Sequence, residues 1–253
     1  MERWGERRPG TWSLVRVFFR SLLIQASLNY SKMQNLGFVF ALIPLVKGID
    51  EKKRQSDILK RHIRFFNSHP YFSAPILGTV ARLEYDASDD EQRRRVDGLK
   101  EALMAPYAAL GDPFFWGAWK PFSAFVGVMA ALGGIAAAPL LMVGLYNAVH
   151  LPFRGWAFVE GCRDGRGALN FIGSLKLPER TSQIKLMSAV VLSMIAALAI
   201  PLAHPASGGV AQILLMTGIL GTVLACYWLI KRGVPVLAVL YGVAFLVCVV
   251  SVL

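Results

Sequence analysis

From Leu186 to the C-terminal Leu253 the chain carries only two charged residues, Lys231 and Arg232. A stretch that long cannot cover a water-facing surface with two charges, so its natural solvent is lipid. The rest of the chain is basic. Of 27 lysines and arginines nearly all precede Leu186, against 16 acidic residues overall, for a net charge of +11. Basic loops joined to an uncharged C-terminal third are a membrane pattern, with Lys and Arg held on one side. Hydrophobic residues at 55% and charged residues at 17% exclude disorder and fall short of the ~25% charge of soluble domains. Three cysteines are too few for a disulfide scaffold. The basic clusters lack interleaved aromatics and flank apolar runs, which argues against nucleic acid.

Three C-terminal runs, Met187–Ala203, Val210–Ile230 and Val234–Leu253, approach or reach the ~20 residues that a membrane helix needs. A fourth, Ser123–Val149, is uncharged and holds Gly127, Gly133, Gly134 and Gly144, which suits close helix packing. Loop charges set the orientation. The Lys231-Arg232-Gly233 turn is expected inside, His204–Gly209 outside, and the C-terminus outside. Leu151–Lys185, with 6 basic and 3 acidic residues, is expected inside, as are Lys47–Arg64 and Arg82–Glu101. Parity then requires Leu103–Pro121 to cross outward despite Asp112, Lys120 and three prolines. Such a broken crossing is tolerated only where protein or a water-filled cavity surrounds it.

Trp12–Tyr30 reads as an amphipathic interfacial helix with Val15, Phe18, Phe19, Leu22 and Ala26 on one face and Arg16, Arg20 and Ser27 near the other. Glu2 and Glu6 argue against a signal peptide. Leu36–Val46, short and interrupted by Pro44, suits a re-entrant or buried segment. The expected fold is an all-α integral membrane protein: an amphipathic N-terminal helix, re-entrant or broken helical segments, and about four C-terminal transmembrane helices. Its regions are an interfacial 1–35, a broken-helix core 36–122 and a transmembrane 123–253 with a cytoplasmic loop over 151–185.

Candidate sites follow from polar groups at odds with their surroundings. His62 shares a helical face with Ile58, Leu59, Ile63 and Phe66; it is a phosphoryl acceptor, a proton relay or, the preferred reading, a hydrogen-bonded packing residue. Asn67-Ser68-His69-Pro70 comes next, and the prolines at 70 and 75 make Asn67–Pro75 a loop, either a binding loop or a capped turn. Glu84 ends the apolar stretch Ala74–Leu83, either carried to the membrane edge or marking the return to water. Asp112 lies within the broken crossing, where burying an ionisable group is costly; the alternative is a helix cap with Pro113 at the first position. Trp116 and Trp119 are sugar-stacking or interface aromatics, the second reading being preferred for Trp119. There is no CxxC, metal-ligand histidine spacing, phosphate-binding glycine loop or GxSxG. No catalytic residue, metal or cofactor is assigned.

Three ordered blocks resemble a known family. Phe19-Arg20-Ser21…Gln25-Ala26-Ser27…Asn29-Tyr30…Met33-Gln34-Asn35-Leu36-Gly37-Phe38 is the first. Arg61-His62…Phe65-Phe66-Asn67…Pro70…Ala74-Pro75-Ile76-Leu77-Gly78 is the second. Leu103-Met104…Pro106…Gly111-Asp112-Pro113-Phe114-Phe115-Trp116-Gly117…Pro121 is the most specific. They resemble the IID component of mannose-type sugar phosphotransferase systems, from about Phe18 to the C-terminus. The resemblance implies a multi-pass subunit of the bacterial inner membrane that pairs with a IIC subunit, in a larger oligomer, to form the channel for a hexose-class sugar. Cytoplasmic IIA and IIB components then deliver the phosphate, and the IID subunit carries none. The sequence departs from the family's habit at Leu28, Ala102, Ala105, Ala109 and Lys120, and the stretch around His204–Gly209 is short. A second expectation is therefore a family member that has lost transport and serves as a structural or regulatory membrane partner. The substrate candidates are Asn67, Glu84, Asp112 and Trp116, with His62, Pro75, Gly78, Gly111, Pro113 and Gly117 as structural motif residues.

Overall fold

A computed structural model describes residues 9–163, 172–203 and 209–252. The calls on Glu2, Glu6 and most of the His204–Gly209 loop lie outside the described residues. The chain divides into two compact units, Met1–Leu192 and Ser193–Leu253. Among the described residues it is all-α, with only isolated β-bridges at Asn29–Met33 and Met33–Phe66.

The first helix, α1 (Thr11–Ser21), is shorter than the expected Trp12–Tyr30. Beyond Ser21 the chain tightens into i→i−3 bonds, from the Leu22, Leu23 and Ile24 N–H groups to Phe19, Arg20 and Ser21. The Ser21 carbonyl also accepts from the buried Arg154 guanidinium. The inward face differs as well: Val17 and Ser21 are buried and Leu14 and Phe18 pack on the core, while Phe19 and Leu22 are exposed.

Against α1 lies α2 (Asn35–Val46), its Phe38, Ala41, Leu42 and Leu45 buried in the core. Pro44 has no N–H for the carbonyl of Phe40; Arg20 Nη1 donates to that oxygen instead, at 3.2 Å. Helix α3 (Lys52–His62) turns only Ile58 and His62 fully inward. Helix α4 (Ser73–Asp86) is buried along most of its length and crosses α7 (Ala138–Arg163). Gly78 and Gly161 make that crossing possible. A Cβ on Gly78 would meet the Phe158 carbonyl oxygen at 2.4 Å, and one on Gly161 the Pro75 oxygen at 2.4 Å. The two backbones touch, so any larger residue forces them apart.

Helix α5 (Asp90–Gly111) starts at Asp89, whose carboxylate accepts the Gln92 N–H at 2.8 Å. Leu103–Pro121, expected as a broken crossing, is continuous helical backbone. The backbone passes from α5 through a π-helical segment, Asp112–Trp119, into α6 (Lys120–Leu132). The wider i→i−5 register, seen in the Lys120 N–H bonding to the Phe115 carbonyl, accommodates Pro113, while Pro106 lies inside α5 and Pro121 in the first turn of α6. Conversely, the single span expected over Ser123–Val149 is two helices. Gly134 (φ 81°) reverses the chain, and the Ile135 N–H closes onto the Ala130 carbonyl; α7 returns beside α6. The expected cytoplasmic loop 151–185 is largely helical. Leu151–Arg163 completes α7, and α8 (Leu177–Ala203) starts well before Met187; 164–171 lie outside the described residues.

The second unit holds the end of α8, then α9 (Val210–Lys231) and α10 (Val236–Val252). Gly233 (φ 88°) closes α9, with the Val234 N–H bonded to the Leu229 carbonyl. The Arg232 guanidinium lies 3.9 Å over the Trp228 ring. Ile213, Leu220, Tyr227, Tyr241 and Phe245 are exposed. Among the described residues no helix is long and apolar enough to cross a membrane. The sequence runs and the helices divide the chain differently, as the Gly134 turn and the charged start of α8 show.

Candidate functional site

Two polar clusters flank α4. The first joins α3, α4 and α5. Arg61 Nη2 donates to both oxygens of Glu84 at 2.7 Å, and Arg61 Nη1 bonds Asp97 at 2.9 Å. His62 Nε2 lies 2.8 Å from Glu84 Oε1, with both side chains shut off from solvent. Lys100, also buried, places its Nζ 5.3 Å from the Phe38 ring. Glu84 therefore neither reaches a membrane edge nor marks a return to water; it is the buried counter-ion of α3.

The charge states follow from these contacts. Burial alone raises the Glu84 carboxyl, but the bonds and charges of His62 and Arg61 outweigh it and hold the group below its ordinary range. Burial lowers His62, and the bond to Glu84 does not reverse it. Burial likewise lowers Lys100. The carboxylate is thus ionised and the imidazole neutral. Glu84 has only acceptors to offer, so the proton sits on Nε2 and Nδ1 is a bare acceptor. One donor atom each from His62, Glu84 and Asp97 lies within 4.8 Å of the others, close enough for a cation. Arg61 already fills that role by bridging both carboxylates. His62 is thus fully enclosed and hydrogen-bonded within the ion-paired cluster.

The second cluster lies at the other end of α4, where the 67–72 loop packs on the π segment. Ser68 anchors the loop: its Oγ donates to the Met104 carbonyl at 3.0 Å, and Gln34 Nε2 donates to the Ser68 carbonyl at 2.8 Å. Next comes His69, only 1% exposed. A Cβ on Gly111 would sit 2.5 Å from His69 Cβ and Cγ, so glycine there lets the imidazole press against the helix. The ring stacks on Phe115 at 5.3 Å and meets Trp116 at 4.8 Å. His69 Nδ1 accepts the Tyr71 N–H at 3.3 Å. That bond fixes the tautomer: the proton of the neutral ring is on Nε2. Nε2 is buried and has no partner among the described residues. Unpaired buried N–H donors are rare and costly.

Of the sequence candidates, Trp116 meets the His69 ring. Asn67 and Asp112 are exposed and Trp116 is 44% exposed, and the Asn67 N–H reaches Met104 Sδ at 3.4 Å. Asp112 does not start a helix. Its own N–H bonds the Ala108 carbonyl within continuous helical backbone, so no unsatisfied helix N-terminus exists there for it to cap. Trp119 donates from Nε1 to the Tyr146 carbonyl at 3.3 Å, which ties it to α7. Pro75 lies in the first turn of α4 and Pro113 is the second residue of the π segment, and a Cβ on Gly117 would make an ordinary 3.5 Å contact with the Asp112 carbonyl oxygen.

Sequence reading passed over four members of this region, Tyr71, Tyr146, His150 and Arg154. Tyr71 stacks on His150 at 4.2 Å and meets the Tyr146 hydroxyl at 2.7 Å. Arg154 is buried with its guanidinium 5.8 Å from the Tyr71 ring. The available signal was an arginine and a histidine four residues apart on one helical face, facing inward.

With that geometry in place, comparison with known proteins is direct. Residues 11–253 match the family described as PTS system mannose/fructose/sorbose family IID component. The chain is 30% identical over 190 residues to the fructose permease IID component of Bacillus subtilis, covering 74% of this chain and 69% of that protein. It is 33% identical over 180 residues to the mannose-specific EIID component of Escherichia coli K12, covering 70% and 64%. For the sorbose-specific EIID component of Klebsiella pneumoniae the match is 34% over 188 residues, covering 72% and 68%. The matched stretch thus spans about two thirds of the length of these curated relatives. Among solved structures, a membrane protein 28% identical superposes over 97% of both chains with a TM-score of 0.69. A cryo-EM structure of the mannose transporter ManYZ with microcin E492 is also 28% identical over 97% of both chains, with a TM-score of 0.58.

Proposed function

We propose a role that starts from membership: the chain belongs to the IID components of the mannose/fructose/sorbose phosphotransferase family, which are membrane transporter subunits. In our reading it sits in the bacterial inner membrane as a multi-pass protein and forms, with a IIC subunit in a larger oligomer, the path of a hexose-class sugar. Cytoplasmic IIA and IIB components supply the phosphate, and this chain supplies no phosphoryl carrier. The enclosure of His62 supports that division of labour. The alternative of a transport-inactive regulatory partner finds no favour among relatives that are themselves a permease component and sugar-specific components.

The observation that carries the reading is the unpaired His69 Nε2–H behind half-exposed Trp116. A sugar gives up water to bind, so its site needs donors and acceptors for hydroxyls and often an aromatic face. His69 and Trp116 bring two of those groups together, with Asn67 on the same loop as His69 and Asp112 on the same π segment as Trp116; Glu84 is withdrawn from the set.

Helix length, though not the apolarity of any one described helix, supports the expected parity. Asp90–Leu132 is about 60 Å of continuous helix, twice the ~30 Å hydrocarbon core, so its charged first half can stand in the cytoplasm while the rest crosses. The Gly134 turn then lies outside and α7 returns inward; the Lys231-Arg232 turn lies inside, the C-terminus outside. Alkaline phosphatase fused after Leu253 is expected to be active and a fluorescent protein there dark; the reverse overturns the parity. Mannose, fructose and sorbose titrated into the purified IIC-containing complex are expected to give saturable binding with at least one of them, and no binding of any overturns the transport reading.

A further inference from the structure

Gln34 and Asn35, from the first of the three family blocks, are buried polar residues with no part in the Glu84 cluster. Both bond the backbone of the linker between α3 and α4. Residues 32–34 and Phe66 form one parallel bridge: the Phe66 N–H bonds the Lys32 carbonyl at 3.4 Å, and the Gln34 N–H bonds the Phe66 carbonyl at 2.8 Å. In a parallel ladder the next rung would join Ser68 to the Gln34 carbonyl and the Leu36 N–H. Helix α2 has already taken the Gln34 carbonyl, which accepts the Phe38 N–H at 3.0 Å. The Gln34 side chain supplies the rung instead. Its Oε1 accepts the Ser68 N–H at 3.3 Å, and its Nε2 donates to the Ser68 carbonyl at 2.8 Å. The carboxamide thus stands in for a peptide unit. Asn35 secures the start of the same linker, its Nδ2 donating to the Ile63 carbonyl at 2.7 Å and its Oδ1 accepting from Asn29 at 2.8 Å.

We propose that Gln34 is a positioning residue of the sugar site: its carboxamide, replacing one rung of backbone pairing, sets how the loop presents His69 and Asn67. One hydrogen bond fixes a point, but two bonds to the N–H and C=O of one residue also fix the orientation of its backbone. That residue is Ser68, and the two candidates flank it in sequence, so a twist there turns both. The Ser68 hydroxyl, bonded to the Met104 carbonyl at 3.0 Å, ties the same point to α5. Gln34 itself is only 3% exposed, so it acts through the loop. The proposal rests on the reading of His69 and Trp116 as sugar-binding groups.

The test uses the purified complex with the IIC subunit. Gln34→Met keeps the side-chain length and removes both bonds. Hydrogen exchange read by mass spectrometry is expected to be about tenfold faster over 67–72 in this variant. Titration with mannose, fructose and sorbose is expected to show about tenfold weaker binding of the sugar that wild type holds, with assembly intact. In a His69→Phe background the same substitution should cost no more than about twofold, because the imidazole it positions is gone. Gln34→Glu gives a second measurement. As a carboxylate it can only accept and repels the Ser68 carbonyl; once protonated, its O–H donates there as the amide does. Burial raises the pKa of a carboxyl group, so its affinity relative to wild type should be low at about pH 8 and recover towards parity near about pH 5.5. A deficit independent of pH overturns the amide rung. Unchanged exchange in Gln34→Met overturns the clamp, and a loss that adds in full to that of His69→Phe overturns action through the loop. Faster exchange in Gln34→Met, with wild-type sugar affinity in both it and His69→Phe, overturns the sugar-site reading itself, and the positioning role with it.

Discussion

The two clusters at either end of α4 are both buried and both built around a histidine, yet they are opposite in kind. About 16 Å of helix separates Ser73 from Glu84. At the Glu84 end charge is answered by charge: a carboxylate shared by Arg61 and His62, with Asp97 closing the ring. At the His69 end no carboxylate answers the ring among the described residues; aromatic rings and a fixed tautomer hold it, with the buried Arg154 close by. Each histidine leaves one nitrogen unpaired, Nδ1 in His62 and Nε2 in His69. In the first it is a bare acceptor, in the second an N–H, and proteins tolerate an unmatched acceptor better than an unmatched donor. Burial of a histidine therefore says little about function; what the unpaired atom is, and whether the surface lies next door, says more.

The comparison is easiest to break by removing the charge. Glu84→Leu leaves Arg61 without its bidentate partner and is expected to cost about 3 kcal/mol or more, read as a fall in unfolding midpoint of the purified chain. His69→Phe keeps a ring against Gly111 and relieves an unpaired donor, so its midpoint should hardly move. Equal losses in the two variants erase the distinction.

Function should invert that order. His69→Phe is expected to weaken sugar binding about tenfold, roughly 1.4 kcal/mol, while His69→Gln, which can still donate, recovers part of the loss. Sugar titration of the assembled complex measures both, and unchanged affinity in His69→Phe removes the imidazole from the site.

A third difference is in pH. His62 is held below the ordinary imidazole range, so below about pH 6.5 the unfolded chain binds more protons than the folded one and stability falls with acidification. Glu84, also held down, continues the loss at lower pH, as its stabilisation disappears on protonation. His62→Gln should abolish the upper part of this decline and leave the lower; a decline near neutrality that persists unchanged assigns it to another group.

The smallest expected effect is at Asp112. Asp112→Asn keeps the shape and removes the charge, and a few-fold loss of sugar affinity with assembly intact is the expected outcome. Equal affinities withdraw Asp112 as a ligand contact.

Much of this was legible in the sequence because it is periodic or local. The buried segment Leu36–Val46, the inward Ile58 and His62 and the Asn67 loop declare themselves through neighbouring residues; α3 ends at His62, so the expected face loses Ile63, which is exposed, and Phe66, which lies beyond the helix. The failures have a common cause: each depends on a partner far along the chain or on a backbone register that leaves no compositional trace. Glu84 looks like the end of an apolar run until Arg61 is brought to it. Ser21 ends α1 partly because Arg154, far downstream, takes its carbonyl. Pro106 and Pro113 signal a break where the helix continues, because the π register that accommodates the second is invisible to a count of apolar spacing. Gly133 and Gly134 looked like packing glycines because nothing in an uncharged run distinguishes a turn from a helix crossing.

The Asp112–Trp119 segment also makes this region sensitive to length in a way that composition does not reveal. A π turn holds about one residue more than an α turn, and each residue of an α-helix turns the chain by about 100°. Deleting a single residue between Asp112 and Trp119 could therefore leave a perfectly good helix, with every side chain type preserved and α6 still attached. What it would change is phase. Everything downstream would swing by roughly a quarter of a turn relative to α5, so that Trp116 could face His69 or α6 could face α7, but not both. The spacing of the Gly-Asp-Pro-Phe-Phe-Trp-Gly block thus works as a clock setting between two halves of one rod, and it should tolerate substitution more readily than insertion or deletion.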